Sequence, residues 1–408
     1  MNRKYQLNTE ENKLFLKEMC DELLNFGHLF PSPGGSSYYL GDDGTPWKDR
    51  PRETWITCRM THVYSIGKFL GHEGSEALID AALKGLLGEL HDTENGGWHV
   101  GLTADGQILP NKQCYAHAFV ILAGTSALLA DRPGAKELLD KALALFDKYF
   151  WDDNLGLAND TWNNDFTVLD DYRGINANMH TVEAFLAVAD AIKDEKYRIR
   201  AGRIIRHVVK WAEDNEWRIP EHFTKDWKVD LECNKEKPDD QFKPYGATPG
   251  HGIEWGRLIT QWVVSTYKES QYRDYFISAA ENLYNRAVAD AWYVDGAPGI
   301  VYTTDWQGDP VIHDRMQWVL AEAINTASVL YKVTNNQKYA DDYAMFMEYL
   351  DDKVRDHVQG SWFHQLNQNN ELIRTVWPGK SDIYHALQAV LIPYSPVDTS
   401  IALAIKTR

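Results

Sequence analysis

The chain has 408 residues, 44% of them apolar and 25% charged, and carries a formal net charge of -17. A chain of this size and composition buries a large core, while its charge repels nucleic-acid phosphates and anionic membranes, so neither is an expected partner. No apolar run approaches the roughly 20 residues needed to span a bilayer, and the first twenty residues lack a signal-like apolar stretch. The four cysteines, Cys20, Cys58, Cys114 and Cys233, are scattered without CxxC spacing. This pattern predicts a reducing cytoplasm and no structural disulfide.

Apolar residues at i, i+3, i+4 and i+7 predict about twelve helices, beginning near residues 10, 52, 75, 111, 135, 175, 196, 251, 272, 314, 338 and 380. Odd-numbered members carry one apolar stripe among charges, such as Leu138, Ala142, Leu145 and Tyr149, or Tyr339, Tyr343, Phe346 and Leu350. Such helices can face water. Even-numbered members, as in TVEAFLAVADAI and EWGRLITQWVV, are apolar nearly all round and call for enclosure on every side. Between pairs lie GGWHVGLTADG, GIVYTTDWQGDP and GSWFHQLNQNNEL, which read as short β-hairpins closing on turns such as Asp105-Gly106 and Gly308-Asp309. No long Gly/Ser/Pro linker divides the chain. The expected architecture is therefore all-α: one domain over residues 1–408, an (α/α)6 barrel of six helix pairs with hairpin excursions at one end.

Unusual polar residues cluster at the starts of the even helices: Arg59 and His62, Tyr115 and His117, His180 and Glu183, His251 and Glu254, Glu322, and Asp382 with His385. Equivalent ends of inner helices meet at one end of a barrel, so these six distant segments should build one cavity. His180-x-x-Glu183 and His251-x-x-Glu254 each place an imidazole and a carboxylate on one helical face. Histidine suits proton transfer at neutral pH, and two of them around one ligand could act as base and acid. The competing readings are a hydrogen-bonded core histidine, favoured for any one of the 14 taken alone, and a metal site of the His-x-x-Glu kind. The other inner helices offer Arg and His rather than bridging carboxylates, which argues against metal. Arg59, in the apolar helix TWITCRMTHVYS, should donate to a ligand oxygen. Trp318 and Trp377 are candidate platforms for a sugar ring. The chain lacks GxxxxGK[ST], GxGxxG after a strand and GxSxG, so phosphoryl transfer, hydride transfer and esterase chemistry lose their usual signatures.

Five segments carry a resemblance: TWITCRMTHVYS (54–65), GINANMHTVEAF (174–185), GATPGHGIEWGRL (246–258), GIVYTTDWQG (299–308) and KSDIYHALQ (380–388). They resemble the N-acylglucosamine 2-epimerase superfamily, and most closely its bacterial aldose–ketose isomerase branch, which includes mannose and sulfoquinovose isomerases. The resemblance implies no metal and no cofactor, with His251 and His385 as the catalytic pair. It also implies that Arg59, His180 and Glu254 bind the sugar or support catalysis, with His117 and Glu322 further members of the pocket. Tyr115, Asn178, Trp318, Trp377 and Asp382 complete the expected binding set.

Two places depart from the sulfoquinovose branch, where an Arg and a Gln contact the sulfonate; here they hold Gln241 and His364. Loss of the guanidinium removes the strongest anion partner, so the expected ligand is a small neutral monosaccharide, mannose or lyxose. Lys243 is the one nearby cation that could compensate. The expected reaction is reversible conversion to the ketose, fructose or xylulose, through a cis-enediol. His385 is read as the C2 base and His251, oriented by Glu254, as its partner. A 2-epimerase, a sulfoquinovose isomerase, a non-catalytic binding module and a carbohydrate-cleaving enzyme are the alternatives, and a homo-oligomer stays open.

Overall fold

A computed structural model describes residues 2–408. Its helices begin within three residues of the expected positions: α1 (Glu10–Phe26), α2 (Thr54–Phe69), α3 (Ser75–Leu87), α4 (Cys114–Leu129), α5 (Ala135–Tyr149), α6 (Ile175–Ile192), α7 (Glu195–Asp214), α8 (Pro249–Thr266), α9 (Gln271–Ala291), α10 (Gln317–Thr334), α11 (Gln337–Tyr349) and α12 (Ile383–Leu391). A short thirteenth, α13 (Ile401–Lys406), and a π-helical turn over Leu350–Val354 were not expected from periodicity.

The even helices form a closed inner ring, with α2 against α4, then α6, α8, α10, α12 and back to α2, and each odd helix packs outside its pair mate. Burial follows from sequence. All of α4 except Tyr115 and Leu128 is buried, whereas α5 buries Ala135, Leu138, Leu139, Ala142 and Phe146 and leaves charges outside. Among the described residues, no helix is long and apolar enough to cross a membrane. The architecture is the (α/α)6 barrel.

Short antiparallel strands make the ring level. The residues preceding each inner helix pair with a hairpin from the next connection: Arg52–Glu53 with Gly101–Leu102, Lys112–Gln113 with Thr161–Trp162, Arg173–Gly174 with His222–Phe223, and Arg315–Met316 with Gln365–Leu366. Ala247 bridges Thr304 in the fourth repeat, and Lys380 N donates to Leu40 O in the sixth. The first backbone N–H groups of a helix have no intrahelical acceptor. Here hairpin carbonyls supply it: Thr54 N donates to Val100 O, Cys114 N to Asp160 O, Ile175 N to Glu221 O and Gln317 N to His364 O. Four inner helices are thus clasped at their first residue, which fixes their amino ends at a common rim.

Two fully buried lysines reinforce the clasp in matching ways. Lys112 Nζ donates to Asp92 Oδ2 at 2.8 Å and to Gly96 O, and Lys380 Nζ to Asp356 Oδ2 at 2.6 Å and to Gly360 O. Gly96 and Gly360 both adopt left-handed conformations, φ +82° and +84°, which turn these carbonyls toward the lysines. Against the cost of burial, the lysine contacts hold both aspartates below the usual carboxylate range. A depressed carboxylate contributes stability that is complete above the unfolded value, about pH 4, and is lost as pH falls below it. Lys112→Met or Lys380→Met strands a buried carboxylate and should lower unfolding free energy by about 3 kcal/mol at pH 7, measured by urea titration. The deficit should shrink in acid as the aspartate protonates.

Candidate active site

At the rim formed by the inner-helix amino ends lies a cavity of about 760 Å³, lined among others by Arg59, Tyr115, His180, Gln241, His251, Glu254, Trp318, His364, Trp377, Asp382 and His385. Eleven of the fourteen site residues expected from sequence therefore meet here, from six inner helices and the loops before them. The size suits a single hexose.

Three imidazoles are held in the same manner. His180 Nδ1 donates to Glu183 Oε2 at 3.1 Å, His251 Nδ1 to Glu221 Oε2 at 2.9 Å, and His385 Nδ1 to Asp382 Oδ2. A carboxylate on Nδ1 fixes the tautomer and leaves Nε2 for a ligand. Trp318 neighbours both His251, with ring centroids 5.1 Å apart, and His385, at 6.0 Å. A side chain at position 250 would collide with this indole, a Cβ falling 2.7 Å from its ring, so Gly250 is what lets Trp318 lie against the start of α8.

Electrostatics divides the roles further. Burial pushes His180 down to about 4 against the pull of Glu183, so it is neutral and its Nε2 is an acceptor. Asp382 is held far below the carboxylate range by His385 and Arg59, which outweigh its burial. Glu254 moves the opposite way: burial and the nearby charge of Glu322 raise it well above its ordinary value, favouring the neutral acid. Its Oε1 accepts from Arg257 Nη2 at 3.3 Å and its Oε2 has no partner, so the acid can offer a proton to a ligand. Arg59 lines the cavity with its terminal nitrogens engaged, Nη1 to Asp382 at 3.2 Å and Nη2 to Tyr115 Oη at 3.0 Å.

Three expected binders lie elsewhere. His117 has both nitrogens occupied, Nδ1 by Gln113 O and Nε2 by the Trp98 N–H, and packs on Phe150 beneath a hairpin. Asn178 bonds Ala158 N and O and pins the preceding loop to α6. Glu322 is fully buried in a two-pronged pair with Arg257, at 2.7 and 3.2 Å, below the cavity. The helical period explains the second miss: Asn176, His180 and Glu183 recur at i, i+4 and i+7 on one face, and it is Asn176 that lines the cavity. His62, one turn beyond Arg59, faces a second cavity at the other end.

Glu254 does not orient His251, because its carboxyl turns inward to Arg257 on the same helical face. The partner is Glu221, whose Oε1 also accepts Thr248 N at 3.3 Å. Periodicity could not reveal Glu221, since it lies in a hairpin. The repeat could have: its carbonyl receives Ile175 N as that of His364 receives Gln317 N, so both stand at one position of the motif, and the side chain of His364 reaches the cavity too.

His180, Glu183 and Glu254, and likewise Glu254, Glu322 and His385, bring ligand atoms within 4.8 Å of one another, close enough for a cation. Arg257 already bridges Glu254 and Glu322, and Glu183 accepts from Tyr384 and Gln388 as well as His180, so an ion would compete with a guanidinium and with satisfied hydrogen bonds.

The model of the N-acylglucosamine 2-epimerase family (GlcNAc 2-epimerase) matches residues 34–389. The chain is 39% identical to a D-mannose isomerase of Thermobifida fusca over 97% of both sequences. It is 41% identical to a D-mannose isomerase of Pseudomonas cannabina pv. alisalensis over 86% of this chain and 85% of that one. Among solved structures, a D-mannose isomerase superposes with TM-score 0.86 at 26% identity, covering 93% of this chain and 97% of the other. The cellobiose 2-epimerase of Spirochaeta thermophila, at TM-score 0.79 and 19% identity over 94% of this chain and 98% of that one, shares the fold. With agreement across nearly its whole length, the chain belongs to the N-acylglucosamine 2-epimerase family.

Proposed function

We propose that the protein is an aldose–ketose isomerase converting D-mannose reversibly to D-fructose, with D-lyxose as a second substrate, in the cytoplasm. The observation that carries this reading is the pair of carboxylate-held imidazoles, His251 and His385, beside one cavity whose other lining is aromatic and polar. Its relatives named D-mannose isomerase support the choice of aldose.

The lining also favours a neutral ligand. Arg59 is its one formal cation and is paired with Asp382. Gln241 donates to Val376 O, and burial pushes His364 down to about 4, leaving it uncharged. Lys243 lies over the Tyr172 ring, 3.7 Å from its centroid, rather than in the cavity. A sulfonate would have no free cation to meet it.

In the mechanism, His251 exchanges protons with the ring oxygen and O1 as the pyranose opens, its Nδ1 held by Glu221. His385 Nε2 then takes the C2 proton, with Asp382 stabilising the charge that develops on the ring. His385 then delivers a proton to C1 after its N–H has partly exchanged with solvent, while O2 loses its proton and O1 gains one, so C2 is oxidised and C1 reduced within one molecule and hydrogen moves only as a proton. Arg59 and the neutral Glu254 donate to the enediolate oxygens, and His180 accepts from a sugar hydroxyl. The family match keeps 2-epimerisation as a second reading, in which the proton returns to the opposite face of C2.

NMR of the product from mannose should show fructose; glucose as the sole product would replace isomerisation by epimerisation. His385→Asn should abolish deuterium incorporation from heavy water and lower kcat at least about 10³-fold. Glu221→Gln should lower kcat by about 10²-fold with little change in KM and shift the pH–rate profile, because it removes the charge behind His251 while keeping the side chain's size. In a panel of mannose, lyxose and sulfoquinovose, the sulfonated sugar should have kcat/KM at least about tenfold below that of mannose, reflecting the missing charge-assisted bond.

A further inference from the structure

Behind the sugar cavity, at the opposite end of the barrel, lies a second cavity of about 570 Å³. The carboxyl-terminal segment closes it: Lys332 Nζ donates to Ile392 O and Ser395 O, both at 2.8 Å, Ser400 N donates to Asp190 Oδ2, and α13 packs against α2, α4 and α6. Among the apolar side chains of its inner wall stand five polar ones, His62, Glu183, Arg257, Gln261 and Gln388.

This wall has unspent hydrogen-bonding capacity. The Ser126 hydroxyl gives its proton to Leu122 O, so His62 Nδ1, 2.7 Å from Ser126 Oγ, is the donor in that contact. Its Nε2 is then a lone-pair acceptor, and it has no protein partner. Arg257 spends Nε and Nη2 on Glu322 and Glu254 and leaves Nη1 without a partner. Buried polar groups of this kind are satisfied by ordered water where there is room for it.

Glu183 lines the second cavity and holds a histidine of the first. Its Oε2 accepts from His180, which lines the sugar cavity, and its Oε1 accepts from Tyr384 and from Gln388, which lines the second. The floor between the cavities is one imidazole and one carboxylate thick, His180 on the sugar side and Glu183 on the other. The geometry points to a proton relay: water held in the second cavity by His62, Arg257 and Gln388 exchanges protons through Glu183 with His180, and so with a sugar hydroxyl, from the far end of the barrel. On the sugar reading above, the hydroxyl proton bonds to His180 Nε2 as the Nδ1–H bond breaks and a Glu183 O–H bond forms; Glu183 then yields that proton to the water, and the reverse sequence restores it.

Two arms test the relay. In a high-resolution crystal structure of the wild-type protein, ordered water should contact His62 Nε2 and Arg257 Nη1; a dry cavity overturns the proposal. In nitrogen-15 histidine-labelled protein, exchange of the His180 Nδ1 proton with bulk water should slow at least about tenfold in Ala402→Phe or Val397→Trp, which fill the second cavity from its outer wall, and should stay near wild type in Ala402→Ser. Unchanged exchange in folded filled variants overturns it. Neither arm needs a substrate, so slowed exchange in a protein that forms no ketose sustains the relay while removing the mannose reading.

Discussion

The clasp between four of the inner helices and the hairpins that follow them is the constraint on which the rest of the molecule depends. A helix cannot satisfy its own first backbone donors, and a buried donor without a partner costs about as much as a lost hydrogen bond. By offering Val100, Asp160, Glu221 and His364 carbonyls to Thr54, Cys114, Ile175 and Gln317, the hairpins remove that cost and set where each helix begins. Six helices starting at one level produce a rim, and the rim produces the cavity. The placement of the cavity is in this sense a consequence of backbone satisfaction.

The clasp also delivers chemistry. Glu221 contributes its carbonyl to α6 and its carboxylate to His251 on α8; His364 contributes its carbonyl to α10 while its ring accepts from Asp382 N, next to His385. Each residue ties two neighbouring repeats together and sets a side chain of the cavity at the same time. Imidazoles held this way have little rotational freedom, so little ordering remains to be done when a ligand arrives.

Most of the fold was legible because its signals are local. An inner helix enclosed on all sides has to be apolar all round, and an outer one needs a stripe, so α4 and α5 declared their layers by composition alone. The cavity was legible to the extent that its residues sit in the first turns of inner helices: Arg59, His180, His251 and His385 followed from position. What failed was facing and pairing. His117 lies two positions from Tyr115 and Asn178 two from His180, which on a helix turns a side chain well away from its neighbour's direction, so adjacency in sequence misassigned them. His251-x-x-Glu254 has the spacing of a pair, but Arg257 stands another three residues on and competes for the carboxyl with a full charge. Glu221, 30 residues before its histidine and outside any helix, has no local signal; only comparison of one repeat with another exposes it.

The three carboxylate–imidazole pairs look alike but sit in different electrostatic settings, and that difference gives the site its direction. Asp382 faces Arg59 as well as His385, so its charge is secure and it can support an imidazolium. Glu221 receives Thr248 N in addition to His251, a neutral donor that steadies the carboxylate without cancelling it. Glu183 is buried among Tyr384, Gln388 and a neutral His180, with Arg257 nearby. Burying a charge is tolerable only where hydrogen bonds replace water. Glu183 meets that condition with three donors, and Glu254, lacking them, meets it by holding its proton. A neutral acid and a neutral imidazole on the cavity floor, opposite charged pairs on its walls, place donors and acceptors where sugar hydroxyls need them and keep net charge away from the carbon that must lose a proton.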